Sequence, residues 1–152
     1  MNYYLWLKAL HVLSMAVWIG AALSLLGITG IMGRTTDRAR LAGLATACDF
    51  VGTRLIAPAG GLTLVFGLVT MMIGHVGMPF WVLFGLVATL LVLAVGGAVL
   101  GRGFRRLVTL LESPSGNQAE VTALLARIRR IGQLAVMLLV FTAFVMVIKP
   151  VP

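Results

Sequence analysis

The chain has 152 residues, 61% of them hydrophobic and only 11% charged, with a mean hydropathy of +1.09. Soluble domains carry about 25% charged residues, so a water-soluble globule is excluded. The net charge of +8 would suggest nucleic acid in a soluble protein. In a chain this apolar, arginines between membrane spans set topology and meet anionic headgroups, so the expected partner is the lipid bilayer and not nucleic acid.

The first predicted span covers residues 4–32. The stretch Tyr3 to Met32 is apolar apart from Lys8 and His11, and a hydrocarbon core of roughly 30 Å needs about 20 such residues in a helix. The first seven residues carry no basic side chain, the apolar run is too long for an h-region and no A-x-A site follows, so it is not expected to be a cleaved signal. Helical spacing puts Tyr4, Lys8, His11, Met15, Trp18 and Ala22 on one face. Ala16, Gly20, Ser24 and Gly27 fall roughly opposite, and small residues there suggest a helix-packing seam. Tyr3, Tyr4 and Trp6 suit an interfacial aromatic belt.

GRTTDRAR, Gly33 to Arg40, reads as a basic loop, and residues 38–54 as an amphipathic segment near the headgroups. It contains Cys48, the one cysteine, which rules out an intrachain disulfide and reads as apolar filler. The second span covers about residues 55–74, with Pro58 at a first turn or kink and Gly60, Gly61 and Gly67 as close-contact positions. GHVGMP (Gly74 to Pro79) is a turn, and Pro79 opens the third span, residues 80–101. After a break at SPSG (Ser113 to Gly116), Asn117 and Glu120 resemble an N-cap and its reciprocal partner. The helix they start continues through Arg127–Arg130 into the fourth span, residues 131–149, which Pro150 ends. The expected fold is therefore all-α: one transmembrane domain, a bundle of four transmembrane helices with an amphipathic segment after the first. All ten arginines lie in the first-to-second and third-to-fourth connections. The positive-inside rule places these in the cytoplasm and both termini outside.

An ionisable residue inside a span marks a functional site, and His11 is that residue. It lies about 10 Å inside Tyr4 at 1.5 Å per residue. A b-type haem would take His11 as axial ligand, pack on Met15 and Trp18, and direct its propionates to Lys8 and Lys149. The alternative is structural: the lysines snorkel to headgroups, and His11 hydrogen-bonds a helix carbonyl and ties the bundle together. A second candidate, Met71, Met72, His75 and Met78 in the turn, offers thioethers and imidazole that suit Cu(I). Here the bland reading is methionine as apolar filler. The spans contain no Asp or Glu, and hydrolytic or phosphate chemistry is not expected.

Three stretches carry a family resemblance. YLWLKALHVLSMAVWIG (Tyr4 to Gly20) resembles the first helix of the HemJ-type protoporphyrinogen oxidases. APAGGLTLVFGL (Ala57 to Leu68) resembles the opening of their second principal span, and FVMVIKP (Phe144 to Pro150) their C-terminal helix. The resemblance extends to the copper-resistance CopD membrane domain and to small bacterial integral membrane proteins ending in M-V-x-K-P. It implies a compact helical bundle in the bacterial plasma membrane, with His11 at the position of the haem-associated histidine. The third helix of that enzyme family carries a Lys after a Trp and a His further along. After Trp81 this chain has neither, from Phe80 to Leu100, which argues against the oxidase activity. Three expectations follow: haem binding in haem handling or electron transfer, copper handling at the outer face, or a structural subunit of a larger complex or homo-oligomer.

Overall fold

The computed structural model describes residues 3–113 and 117–149. The described residues form four rods. The first is α1 (Tyr3–Met32). The second joins α2 (Arg38–Val51) through a π-turn at Gly52–Ile56 to α3 (Ala57–Ile73). The third joins α4 (Phe80–Val95) through a π-turn at Gly96–Gly101 to α5 (Arg102–Glu112). The fourth is α6 (Gln118–Ile148). The rods have 30, 36, 33 and 31 residues, about 45–54 Å each at 1.5 Å per residue. All four are long and apolar enough to cross a membrane.

The amphipathic segment is therefore not a separate surface element. It is the first half of the second rod, because a π-turn carries the helix into α3 without a break. Pro58 lacks an N–H and its ring crowds the carbonyl four residues back, and the wider turn just before it accommodates both. The GRTTDRAR loop is also shorter than expected. Asp37 caps α2 by accepting hydrogen bonds from the Ala39 and Arg40 N–H groups.

Sequential rods are antiparallel neighbours, and α1 also packs on α6. Two cores result. At the arginine-rich end, Leu41, Cys48, Phe104, Leu107 and Val121 are buried among α2, α5 and α6. Nearer mid-bundle, Trp18, Ala59, Val92 and Leu139 form a second cluster. The outer surface divides as sharply. On α6, among the described residues, no large apolar side chain is exposed before Leu134; then Leu134, Met137, Val140, Phe141, Phe144, Val147 and Ile148 all are. On the second rod the exposed series starts at Phe50, and on the third it runs from Phe80 to Leu91. Such a girdle suits a lipid surround, since contiguous apolar surface of this extent is unstable in water. The polar ends of the rods continue beyond it.

Chain turns and caps define the ends. Pro79 is the N-cap of α4, its carbonyl accepting from the Val82 and Leu83 N–H groups. Asn117 caps α6 through the Ala119 N–H, while Glu120 turns away to an ion pair with Arg106 at 2.6 Å. Lys149 ends α6 in the left-handed region, φ 48°. Pro150, expected to end that helix, and Pro114 to Gly116 of the expected break lie outside the described residues.

Candidate functional site

The α1–α3 seam repeats every seven residues on both helices. Large side chains of α1 fit against glycines of its antiparallel neighbour. A methyl group at Gly74 would lie 2.6 Å from Tyr4 Cε2; at Gly67, 2.9 Å from His11 Cε1; at Gly60, 3.0 Å from Trp18 Cε2. Seven residues is close to two helical turns, so this spacing keeps one stripe of each helix in contact. The seam thus lies on the face that carries His11.

That placement corrects the expected seam of small residues on α1. Ala16, Gly20, Ser24 and Gly27 are exposed, and a methyl group at Gly20 or Gly27 would meet nothing within 4 Å. Gly61 is likewise open on α3. The close approach is between bulk on one helix and glycine on the other, so one stripe of small residues suffices and α1 does not supply it.

His11 sits half-buried in this seam, with Nδ1 2.8 Å from the Thr63 carbonyl oxygen. A carbonyl can only accept, so Nδ1 donates, and if the ring is neutral that nitrogen holds its one proton. Nε2 is left with the lone pair, the arrangement found in metal-ligating histidines. Neighbouring hydroxyls complete a polar knot. Ser14 Oγ donates to the His11 carbonyl at 2.9 Å. Thr63 Oγ1 lies 3.1 Å from Ser14 Oγ and 2.8 Å from the Ala59 carbonyl. One further group points to unfilled capacity: Thr70 Oγ1, one turn beyond Thr63–Gly67 toward Tyr4, is buried without a hydrogen-bond partner.

The remaining expected site residues separate. Trp18 is 2% exposed and packs with Gly60 and Leu93, so it belongs to the core. Met15 is half-buried and Lys8 exposed on the same helix. Lys149 places Nζ 5.5 Å from the centre of the Trp81 ring, a cation–π contact on the α4 side. At the turn, Met72 and Met78 are 69% and 60% exposed and His75 is exposed at φ 47°. Among the described residues no three His, Cys, Asp or Glu side chains converge on a metal position. A donor set here would therefore rest on His11 alone among such residues, or on His75 with thioethers.

Sequence reasoning found His11, and Gly60 and Gly67 as close-contact positions on α3, but missed Thr63 and Thr70. The signal was present: Thr63 and Thr70, like Gly60, Gly67 and Gly74, recur at seven residues, as do Tyr4, His11 and Trp18. The chain matches no protein-family model, no curated protein and no solved structure. Fold and surface define the class: an all-α protein with the architecture of a multi-pass membrane protein.

Proposed function

We propose that this protein binds b-type haem in the bacterial plasma membrane, with His11 as the residue that would hold the iron, in a non-enzymatic haem-handling or electron-transfer role. The observation that carries the reading is the Nδ1–H bond to the Thr63 carbonyl, which orients Nε2 as a donor within the apolar girdle. The donor chemistry fits the group: a neutral imidazole, locked in one tautomer, is a good iron ligand. Gly67 makes room for the ring. The unpartnered Thr70 hydroxyl and the Lys8 ammonium, both toward the same end, suit the polar edge of a haem. Bound haem supplies one-electron chemistry; the chain contributes ligation, orientation and an apolar surround. The resemblance of Tyr4–Gly20 to HemJ-type first helices supports the same assignment, and the absence of Lys or His from Phe80 to Leu100 argues for binding without oxidase catalysis.

Protein purified in mild detergent is expected to show a Soret band with one haem per chain. His11→Ala abolishes it. Lys8→Ala keeps the spectrum but weakens affinity roughly ten- to hundredfold, the worth of a charge-assisted hydrogen bond. Haem retained at full occupancy in His11→Ala contradicts the proposal.

A further inference from the structure

The seven-residue ladder that pairs Tyr4, His11 and Trp18 with Gly74, Gly67 and Gly60 stops one step short of its next rung, Leu25 against Thr53. Thr53 lies in the π-turn Gly52–Ile56, whose extra width breaks the helical register. The second π-turn, Gly96–Gly101, lies against it. Between the two turns a cavity of about 190 Å³ opens, reached by all four rods and bounded by Trp18 on one side and Phe104 on the other. It separates the two cores. His11 does not line it.

Glycine keeps this space open: a methyl group at Gly52, Gly96 or Gly97, all of which line the cavity, would meet nothing within 4 Å. The lining is otherwise largely apolar: the Thr29 and Thr53 hydroxyls donate to main-chain carbonyls of their own helices, which leaves two charged groups. Asp49 and Arg105 both line the cavity. Asp49 Oδ1 is buried and accepts no hydrogen bond, and its nearest cationic atom, Arg105 Nη1, stands 3.9 Å away. That separation exceeds a hydrogen bond. A buried carboxyl oxygen without a donor is costly, and a neutral hydroxyl inserted there would donate to Oδ1 and accept from Nη1. A purely anionic head would meet the Asp49 oxygen as a like charge, and a purely apolar guest would leave it unpaired.

We propose that this cavity is a binding site for a small, membrane-soluble hydroxyl compound, a phenol or alcohol about the size of a monosubstituted benzene. An engineered apolar cavity of about 150 Å³ is large enough for benzene, so the volume here takes a ring with one or two further heavy atoms. Entry is from the interface at the arginine-rich end, where the Arg105 and Asp49 side chains are 57% and 28% exposed.

The test uses the full chain in phospholipid vesicles, with Trp6→Phe and Trp81→Phe leaving Trp18 as the single tryptophan. Bromine quenches tryptophan fluorescence at contact, so the probes are 4-bromophenol and bromobenzene, compared at equal membrane concentration. The expected result is saturable quenching by 4-bromophenol, with half-saturation about tenfold below that of bromobenzene, as one hydrogen bond to a charged group provides. Asp49→Leu brings the two probes together. Gly96→Leu, or Ala135→Leu should the first variant not fold, removes the saturable phase. Linear quenching in the parent, equal half-saturation for the two probes, or a saturable phase that survives in a folded filling variant would each overturn the proposal.

Discussion

At the scale of single residues, the informative pair is His11 and Gly67. The histidine was legible in the sequence, because an ionisable group within an apolar run of thirty residues needs a reason. Gly67 was legible as a close-contact position and a bond to a helix carbonyl was one expectation, but that the carbonyl belongs to Thr63 was not, because a main-chain acceptor leaves no side-chain signature on α3. The two readings of His11, ligand and tie between helices, are also not rivals in this geometry: the bond that ties α1 to α3 is the one that leaves Nε2 free to ligate. The substitution Gly67→Val separates this site from general glycine effects. It places methyl groups where the imidazole now packs, an overpacking that costs about 1–3 kcal/mol, and it displaces the ring from Thr63. Haem occupancy is expected to fall with the melting temperature. Gly20→Val, on the open face of α1, leaves both within error. Equal effects of the two substitutions on haem would show that Gly67 has no special relation to the site.

At the scale of elements, the long apolar runs made all four rods readable, but their polar halves were not. Segment 38–54 looked like a surface helix because its apolar positions are sparse. The structure spends those positions, Leu41, Ala45 and Cys48, on α5 rather than on headgroups. The contact that fixes this pairing involves a residue at the overlap of the expected basic loop and the expected amphipathic segment. Arg38 donates from Nε to the Leu111 carbonyl at 2.8 Å, and from Nη2 to the Leu110 and Ser113 carbonyls at 2.7 Å each. Those carbonyls close the C-terminus of α5, where helix ends leave acceptors unsatisfied and the macrodipole favours a cation. Arg38→Ala is expected to destabilise the bundle by about 1.5–3 kcal/mol, read as a lower midpoint in detergent-induced unfolding. Arg34→Ala, on the loop just before α2, serves as the comparison. A midpoint unchanged by Arg38→Ala would mean that the α2–α5 pairing is held by its apolar contacts alone.

At the scale of the whole molecule, charge and apolar surface are segregated along one axis. Every charged side chain except Lys8 and Lys149 lies toward the arginine-rich end, and the exposed apolar girdle covers the other. The placement of the arginines between the spans foretold the first half of that statement. The second required the packing, because only the structure shows which leucines and phenylalanines are left outside. The orientation proposed from the arginines makes a direct prediction. A reporter fused after Gly33 reads cytoplasmic, and one fused within Gly74–Pro79 reads external. In intact cells a membrane-impermeant maleimide labels His75→Cys, an exposed position, and leaves the fully buried Cys48 unmodified. Labelling of Cys48 alone, or a cytoplasmic reporter at the turn, would invert the arrangement.

The central claim is that Thr63 holds His11 with its proton on Nδ1 so that Nε2 can bind haem iron. It is tested most directly by nitrogen NMR of ring-labelled histidine in a His75→Ala background, where His11 is the single histidine. In the haem-free protein Nδ1 is predicted to show a directly bonded proton and Nε2 the shift of an unprotonated ring nitrogen. One equivalent of ferric haem then broadens the Nε2 resonance beyond detection and gives the Soret band. A proton on Nε2 in the haem-free protein, or an Nε2 resonance unmoved by stoichiometric haem, would contradict the account.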